Sequence, residues 1–180
     1  GSLEVEAHAE LAADGHYVIY CSAPDYGQGT NTMLSQLAAE MLYTTRDQIE
    51  LINADTALTP DSGIQGASRS TYFVGGAVCQ AAQNLRSTIE SVACELLDCP
   101  PGEVALDCTK VTASGNSDRA VPLAAVAAEF ERMGLARRIL GAFDLSPYFD
   151  EGTRPEYVPL FCTAAHVGQV VVNMRTGMVQ

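Results

Sequence analysis

The chain has few basic residues and no cluster of them. Lys and Arg total 10 against 22 Asp and Glu, which gives a formal net charge of −12 over 180 residues. The one adjacent basic pair, Arg137-Arg138, is more typical of a solvated helix end than of a phosphate clamp. Nucleic-acid-binding domains carry a basic face, so the composition argues against that class. Any bound anion would have to be held by local backbone N–H groups and a few side chains, not by the overall charge.

Long apolar runs and C-x-x-C pairs are missing as well. No stretch approaches the roughly 18 to 20 residues that cross a bilayer, and the chain starts without a basic segment followed by an apolar one. The cysteines are too scattered for a zinc or iron–sulfur site, so we predict buried thiols in a reducing cytoplasm. They are Cys21, Cys79, Cys94, Cys99, Cys108 and Cys162. The sequence thus predicts a cytoplasmic protein that binds neither membranes nor nucleic acid.

What is present is the composition of a folded protein, with 47% hydrophobic and 18% charged residues. Its length fits one domain or two small lobes that share a core. We predict a single domain over residues 1–180. The chain lacks an initiator Met and stops just after a turn at residues 174–177, so we expect it to be a piece of a longer polypeptide.

Hydrophobic periodicity predicts an α+β domain in which helices pack on a mixed β-sheet. The first two strands should form a hairpin around the turn Asp14-Gly15. The predicted order is strands at 3–11 and 16–22, a helix at 32–42, a strand at 48–53, a loop at 54–68, a helix at 70–97, strands at 104–108 and 110–112, a helix at 122–133 with Pro122 in its first turn, and a strand at 161–173.

The loop Gly27-Gln28-Gly29-Thr30 lies between a predicted strand and a predicted helix. Glycines let a backbone approach a ligand closely, and the free N–H groups at a helix start favour an anion. The Gln28 side chain adds both a donor and an acceptor. The loop lacks the G-K-[ST] of a phosphate loop, so an ordinary nucleotide triphosphatase is not indicated. Taken alone, a glycine-rich turn of this kind is more often structural.

A second loop, residues 63–71, again leads into a predicted helix and reads G-I-Q-G-A-S-R-S-T. Its small residues, its hydroxyls and Arg69 would suit a phosphate or pyrophosphate. A capped helix start with an exposed arginine explains the same residues equally well. The two loops are separated by a helix, a strand and a loop, so both could open at one end of the sheet and hold one elongated ligand. Two helix starts facing one ligand suit a cofactor with a polyanionic tail.

Residues 27–42 read G-Q-G-T-x-T-x-x-x-Q-x-A-A-E-x-L, which resembles a signature of the molybdenum-binding large subunit of the xanthine dehydrogenase/aldehyde oxidase family. The resemblance continues with Asp55-Thr56, Pro60, A-S-R-S-T at 67–71 and G-x-A-V-x-x-A-A at 75–82. It covers nearly all of this chain, but only a middle slice of a typical large subunit. The order and spacing of the motifs make the resemblance specific.

The resemblance implies that the chain supplies part of a molybdopterin site, with the cytosine dinucleotide form the expected cofactor of the full-length protein. It implies hydroxylation of an aldehyde or an N-heterocycle carbon with water as oxygen source, and iron–sulfur and FAD-binding subunits or domains as partners. The isolated piece should be inactive and free of molybdenum. The cofactor contacts implied are Gly27, Gln28, Gly29, Gln65, Gly66, Ala67, Ser68, Arg69 and Ser70.

Several features depart from the family pattern. The family's catalytic glutamate belongs to a segment after this chain stops, so no catalytic residue and no protein ligand to the metal are assigned. Ala67 stands where Gly is common, Tyr43 replaces a Gly after the first helix, and the family's D-P-E-T-G turn reads N-M-R-T-G at 173–177. Two other functions stay open. One is a scaffold that keeps the fold without the cofactor. The other is a phosphate- or nucleotide-binding enzyme, which the scattered histidines do not favour.

Overall fold

The structure, a computed structural model, describes residues 4–66, 68–116, 118–144, 146 and 165–180. In that part of the chain, three helices accompany a mixed four-stranded sheet and a small antiparallel sheet. The strand order is β3-β2-β1-β7 in the larger sheet and β4-β5-β6 in the smaller one. The predicted α+β class is confirmed. The strands are β1 (Glu4–Leu11), β2 (Tyr17–Cys21), β3 (Ile49–Asn53), β4 (Val104–Leu106), β5 (Lys110–Ala113), β6 (Ala120–Pro122) and β7 (Arg138–Asp144), and the helices are α1 (Thr30–Met41), α2 (Gly75–Leu96) and α3 (Leu123–Met133).

The hairpin of β1 and β2 follows directly from the alternating pattern. Every second residue of β1, from Val5 to Leu11, is buried. Gly15 turns the chain with φ of 94°, and a Cβ there would lie 2.8 Å from the backbone nitrogen of Ala124. Only glycine tolerates both conditions. Antiparallel pairing then places Leu11 opposite Tyr17, which confirms the predicted hairpin.

Strand β7 pairs antiparallel with β1 at the edge of the sheet, and the sequence pattern did not predict it. Arg138 begins this strand, so the interpretation of Arg137-Arg138 as a helix end is wrong. The Arg138 guanidinium lies 3.7 Å from the centroid of the Tyr20 ring and donates to the Leu58 carbonyl oxygen at 2.6 Å. Arg138, on the edge strand, therefore holds the loop that follows β3 against the sheet.

The central helix α2 packs on β1 and β7 and also contacts α1. Its buried positions, such as Val78, Leu85 and Ile89, recur at the spacing of one helix face. A Cβ at Gly75 would lie 3.0 Å from Leu37 Cδ1 of α1, and a Cβ at Gly76 would meet the β7 side chain Phe143. These two glycines therefore allow close packing of the helix against α1 and β7. No helix among the described residues is long and apolar enough to cross a membrane.

The start of α3 differs from the prediction by one residue. Pro122 is extended, with φ −69° and ψ 148°, and it ends β6, so it precedes the helix instead of lying in its first turn. Gly134 ends the helix with φ of 70°, a left-handed conformation that favours glycine. Strand β6 was not predicted, because three residues are too short to show a period.

The predicted strand at residues 161–173 is wrong where the structure describes it. Residues 165–171 form no strand, and only an isolated bridge joins Val172 to Val179. The predicted turn between them is confirmed, since the Gly177 N–H donates to the Asn173 carbonyl oxygen at 2.7 Å. Residues 161–164 lie outside the described part of the chain. A run of β-branched residues favours a strand only where a partner strand is available.

His16, at the turn of the hairpin, lies between two carboxylates. Its Nδ1 contacts Asp14 Oδ1 at 2.5 Å, and its Nε2 contacts Glu50 Oε2 of β3 at 3.2 Å. Burial disfavours the charged imidazole, but the hydrogen bonds that its ring nitrogens donate to Glu50 and Asp14 outweigh burial and raise the pKa of His16. A raised folded-state pKa stabilises the fold below the unfolded-state pKa, and this contribution is lost as pH rises through the folded value.

His16→Gln is therefore expected to lower the melting temperature more at about pH 5.5 than at about pH 8.5, on either side of the titration. Thermal unfolding monitored by circular dichroism measures this. His166→Gln, at an exposed position, is the matched control and should show no such difference. An equal loss at both pH values would mean that the charge of His16 does not contribute.

Candidate functional site

The carboxyl ends of β2 and β3 lie side by side, because these two strands run parallel. Their last paired residues are Cys21 and Asn53. The chain enters the first predicted loop directly after β2 and reaches the second after β3. Ligands of sheets with parallel strands commonly bind outside this edge.

Asn53, the last residue of β3, connects the edge to the first loop. Its Oδ1 accepts from the Ala23 N–H at 2.8 Å, and its Nδ2 donates to the Ala23 carbonyl oxygen at 2.7 Å and to Asn31 Oδ1 at 2.6 Å. One side chain thus fixes the exit of β2 and the first turn of α1. The sequence analysis missed this residue, although an amide that ends a half-buried strand is a usable signal.

Gln65 brings the second loop to the same place. Its Nε2 donates to the Ser22 carbonyl oxygen at 3.3 Å, which is just past the end of β2. Its Oε1 accepts from Ser70 Oγ at 2.9 Å, at the start of the helix that follows. The expectation that both loops open at one end of the sheet is therefore confirmed.

The N–H groups of the first loop are already engaged by Asp25. Its Oδ1 accepts from the amides of Gly27 at 2.9 Å and Gly29 at 3.2 Å, and its Oδ2 accepts from the amide of Asn31 at 3.0 Å. These hydrogen bonds, that of Asn31 first, lower the pKa of Asp25. Free N–H groups at this helix start were expected, and for these three amides the expectation is wrong. The sequence signal for this arrangement is Asp25-x-Gly27, because an Asp side chain commonly accepts from the backbone amide two residues further on.

Gln28 also bonds within its own loop. Its Oε1 accepts from the Tyr26 N–H at 2.6 Å, and its Nε2 donates to Thr30 Oγ1 at 2.7 Å and to the Pro24 carbonyl oxygen at 3.2 Å. The residue is exposed, and a Cβ added at Gly27 or Gly29 would meet nothing within 4 Å. The loop is ordered by its own side chains and borders open space.

Asp25→Asn is expected to accelerate hydrogen exchange at the amides of Gly27, Gly29 and Asn31. The asparagine side chain has one acceptor oxygen where aspartate has two, so it cannot accept hydrogen bonds from all three amides in the observed geometry. Because the pKa of Asp25 is lowered in the fold, its stabilisation is present above the unfolded-state pKa and is lost as pH falls through the folded value. NMR exchange rates at neutral pH, corrected for intrinsic rates, measure the effect.

Asp61→Asn serves as the control, because Asp61 accepts from a single amide, that of Gly63 at 2.8 Å. It should leave the first loop unchanged. If the Asp25 variant exchanged at the wild-type rate at all three amides, the carboxylate would not be what orders the loop.

Arg69 anchors the second loop in the structure. Its Nε donates to the Ile64 carbonyl oxygen at 3.1 Å, and one terminal nitrogen donates to the Ser62 carbonyl oxygen at 3.2 Å. The guanidinium also lies 4.1 Å from the centroid of the buried Phe73 ring. The sequence left open a phosphate partner for Arg69 or an exposed position at a capped helix start, and the described contacts of Arg69 hold Ser62 and Ile64 in place.

The remaining predicted contacts lie around Arg69. Gly66 is exposed, and a Cβ there would meet nothing within 4 Å. Ser68 has a positive φ of 64°, Ser70 is half-buried, and Ala67 lies outside the described residues. The helix then begins with a π-helical turn, Ser70–Val74, that continues into α2. Turns of this kind often occur at functional sites.

Two shallow cavities of the described structure do not include the predicted contacts. One, of about 340 Å³, lies beside the first turn of α1 and is lined by Asn31, Thr32, Ser35, Arg46, Asp47, Ile49 and Leu51. The other lies at the far end of α2. Among residues 4–66, 68–116, 118–144, 146 and 165–180, no group of three His, Cys, Asp or Glu side chains could hold a metal ion.

A family model described as "Molybdopterin cofactor-binding domain" matches residues 2–180 of this chain. The chain belongs to that family. The resemblance read from residues 27–42 and 67–82 is thereby confirmed, and the two loops that it singled out are the ones that meet at the edge of the sheet. This molybdopterin-binding domain is of the type found in molybdenum hydroxylases of the xanthine dehydrogenase/aldehyde oxidase family.

Relatives of this molybdopterin-binding domain are much longer proteins. The gamma subunit of the 6-hydroxypseudooxynicotine dehydrogenase complex of Paenarthrobacter nicotinovorans is 30% identical over 119 residues, which cover 66% of this chain and 15% of that protein. A probable hypoxanthine oxidase of Escherichia coli is 35% identical over 99 residues, covering 54% of this chain and 10% of that protein. The chain therefore spans about a tenth to a seventh of these relatives.

Solved structures have a similar fold. The aldehyde oxidoreductase of Desulfovibrio desulfuricans matches with a TM-score of 0.56 and 27% identity, over 79% of this chain and 13% of that one. The fold is thus that of one portion of a larger molybdenum enzyme.

The residues at the edge fit a polar, elongated cofactor in most respects. Gly27, Gly29 and Gly66 border open space. The side-chain amides of Gln28 and Gln65 offer donors and acceptors. That of Gln28 now bonds within its own loop, and that of Gln65 bonds to Ser22, just past β2, and to Ser70. One feature does not fit without a change, since the first loop's backbone donors already serve Asp25.

Proposed function

We propose that this domain forms one wall of the molybdopterin site in a hydroxylase that oxidises an aldehyde or an N-heterocycle with water. The observation that carries the proposal is the convergence of the two motif loops at the carboxyl ends of β2 and β3, linked through Gln65 and Ser22. When bound, the molybdenum cofactor supplies the redox chemistry, and the protein supplies binding and orientation.

Gln28 is the proposed contact to the reactive part of the cofactor. It lies exposed on the loop, and its three hydrogen bonds all stay within residues 24–30, so a rotation of the side chain frees the amide without disturbing the buried core. A primary amide both donates and accepts, which suits the oxygen and nitrogen atoms of a pterin edge.

The second loop is proposed to hold the cofactor at a different point. Gln65, Gly66, Ala67, Ser68, Arg69 and Ser70 are the proposed contacts. Arg69 contributes by holding the carbonyl groups of residues 62–64, which leaves the loop's outward groups in a fixed geometry. Preorganised contacts bind more tightly, because less conformational entropy is lost on binding.

The backbone amides of Gly27 and Gly29 stay proposed contacts under one condition. Asp25 must release them before they can donate to the cofactor, since its carboxylate now accepts from both. If Asp25 keeps them, the first loop contributes through Gln28 alone.

Several finer features are proposals by family membership. They are the single-domain boundary at 1–180, the cytosine dinucleotide form of the cofactor, a cytoplasmic location, and iron–sulfur and FAD-binding partners. Two relatives, named as subunits of a 6-hydroxypseudooxynicotine dehydrogenase complex and of nicotinate dehydrogenase, support partner subunits. The catalytic glutamate is proposed to lie in the part of the parent protein that follows this chain, and the isolated chain is proposed to be inactive and free of molybdenum.

A scaffold role is the second candidate, and one observation favours it. The amides of Gly27, Gly29 and Asn31 and the side chains of both glutamines have partners within the protein. The fold is therefore locally complete without a cofactor.

Gln28→Ala in the full-length protein is expected to lower turnover by about 10- to 100-fold, the range seen when an outer contact of a metal site is removed. The melting temperature should stay close to the wild-type value, because Gln28 is exposed and contacts only its own loop. Steady-state kinetics and thermal unfolding measure the two effects.

Gln80→Ala is the matched control, since Gln80 is an exposed amide on α2 that bonds to Asn84 one turn away. It should keep full activity. Unchanged turnover in the Gln28 variant would favour the scaffold role, and a large loss of melting temperature would make Gln28 a structural residue.

A further inference from the structure

The far end of α2 carries two cysteines in a specific helix-ending motif. The amide of Cys99 donates to the carbonyl oxygen of Cys94 at 3.0 Å, and the amide of Asp98 donates to that of Glu95 at 3.3 Å. Asp98 adopts a positive φ of 47°. This pair of hydrogen bonds around one left-handed residue defines a Schellman motif.

A Schellman motif brings together the side chains of the two residues joined by its longer hydrogen bond. In most proteins that contact is hydrophobic, whereas here both residues are cysteines. The pKa of the Cys99 thiol is raised by burial and by a hydrogen bond with the Cys94 thiol. Both thiols are free in the structure.

The pair opens to a cavity of about 450 Å³ at the end of α2, lined by Ser91, Cys94, Glu95, Asp98, Cys99, Pro100 and Pro101. Cys94 is 6% exposed and its Sγ donates to the Pro100 carbonyl oxygen at 3.4 Å, while Cys99 is more accessible. A small reagent can therefore reach Cys99 first, with Cys94 behind it.

We propose that Cys94 and Cys99 form a redox-active dithiol that closes to an intrachain disulfide by exchange with a low-molecular-weight disulfide such as oxidised glutathione. The Cys99 thiolate attacks one sulfur of that disulfide, and the first glutathione leaves as a thiolate. The Cys94 thiolate then attacks the Cys99 sulfur of the mixed disulfide and releases the second glutathione. The two protein thiols are oxidised, one glutathione disulfide is reduced to two thiols, and the two protons end on the released glutathiones.

Three other described cysteines give the proposal its specificity. Cys21 is buried under the sheet edge and donates to Asn53, and neither Cys79 nor Cys108 has a thiol hydrogen bond to another cysteine among the described contacts. Disulfide formation requires Cα atoms about 4.4 to 6.8 Å apart. The 3.0 Å hydrogen bond from the Cys99 amide to the Cys94 carbonyl oxygen holds the two backbones close together. The sequence analysis treated all six cysteines as inert thiols, and this motif separates two of them.

The test uses the folded 180-residue chain incubated with oxidised glutathione, quenched with iodoacetamide and digested without reduction. A protease that cleaves after glutamate cuts at Glu90, Glu95 and Glu103, which places the two cysteines in separate peptides, residues 91–95 and 96–103. These peptides are expected to stay joined, with a mass about 2 Da below their sum, and to separate after dithiothreitol. Cys79→Ser should behave like the wild type, and Cys99→Ser should give no joined peptide.

Two results would overturn the proposal. In one, both peptides from the folded chain appear separately, each alkylated or each carrying glutathione. In the other, the chain unfolded in urea forms the same link as fast as the folded chain, so that the fold does not create the pair. Cys99→Ser changes the more accessible cysteine and leaves the buried Cys94 in place, and its circular dichroism spectrum verifies that it folds.

Discussion

Gly141→Ala is expected to destabilise the domain by at least about 3 kcal/mol, the upper part of the range for overpacking a core. Gly141 lies on β7 where the strand crosses α2. A Cβ there would lie 2.5 Å from the Cα of Ala81 and 2.6 Å from the carbonyl oxygen of Ala77. Both are backbone atoms of a helix, so neither can move alone. The sheet and α2 would have to separate, or β7 would have to leave β1.

Urea unfolding of the isolated chain measures this loss of stability. Substitutions at two other glycines serve as controls. Gly76→Ala should cost less, because its Cβ would meet the Phe143 ring, a side chain that can rotate. Gly168→Ala should be neutral, since its position is exposed and nothing lies within 4 Å. A Gly141 variant as stable as the Gly168 variant would show that β7 does not pack on α2 as described.

Arg69→Lys in the full-length protein is expected to lower cofactor content nearly as much as Arg69→Ala, by about 10-fold or more. The Arg69 guanidinium holds two carbonyl groups of its loop and stacks on Phe73. A lysine keeps the charge but has neither the planar fork nor the stacking face. Molybdenum per polypeptide, together with hydrogen exchange at residues 62–66, separates an anchoring role from a charge role.

Arg132→Lys is the matched control, since Arg132 pairs with Glu129 on the surface of α3. It should retain full cofactor and wild-type exchange. If Arg69→Lys kept the cofactor while Arg69→Ala lost it, the charge itself would be what matters, as direct binding of a phosphate requires.

The sequence predicted those parts of the fold that have a strong local period. The hairpin of β1 and β2, α1 and the long helix ending in α2 all show buried positions at regular spacing. Strand β7 could not be found that way, because its pattern contains Arg138 and Gly141. Both residues are explained by distant partners, the first by Tyr20 and the second by Ala81. Conversely, the valines at 170–172 have a strong local preference for a strand, but among the described residues they form only an isolated bridge.

At the candidate site, the motifs located the loops but not the contacts within them. The positions of residues 27–30 and 63–71 at one edge follow from the parallel pairing of β2 and β3. The role of Asp25 as acceptor for three amides depends on the path of the loop, which no spacing rule provides. Asn53 and Arg69 likewise form hydrogen bonds with backbone groups. Every residue has such backbone groups, so the sequence does not show which of them a side chain contacts.

The central claim is that the two loops at the carboxyl ends of β2 and β3 hold the molybdopterin cofactor. The most direct test is the molybdenum and released-nucleotide content of the full-length protein, as wild type and as Gln28→Ala, Gln65→Ala and Gln80→Ala variants, expressed with molybdate and intact cofactor maturation. The account predicts that the wild type and the Gln80 variant carry the cofactor, with cytosine as the released base, while both loop variants lose most of it. A fully folded wild type without molybdenum, or loop variants with wild-type content, would contradict the claim.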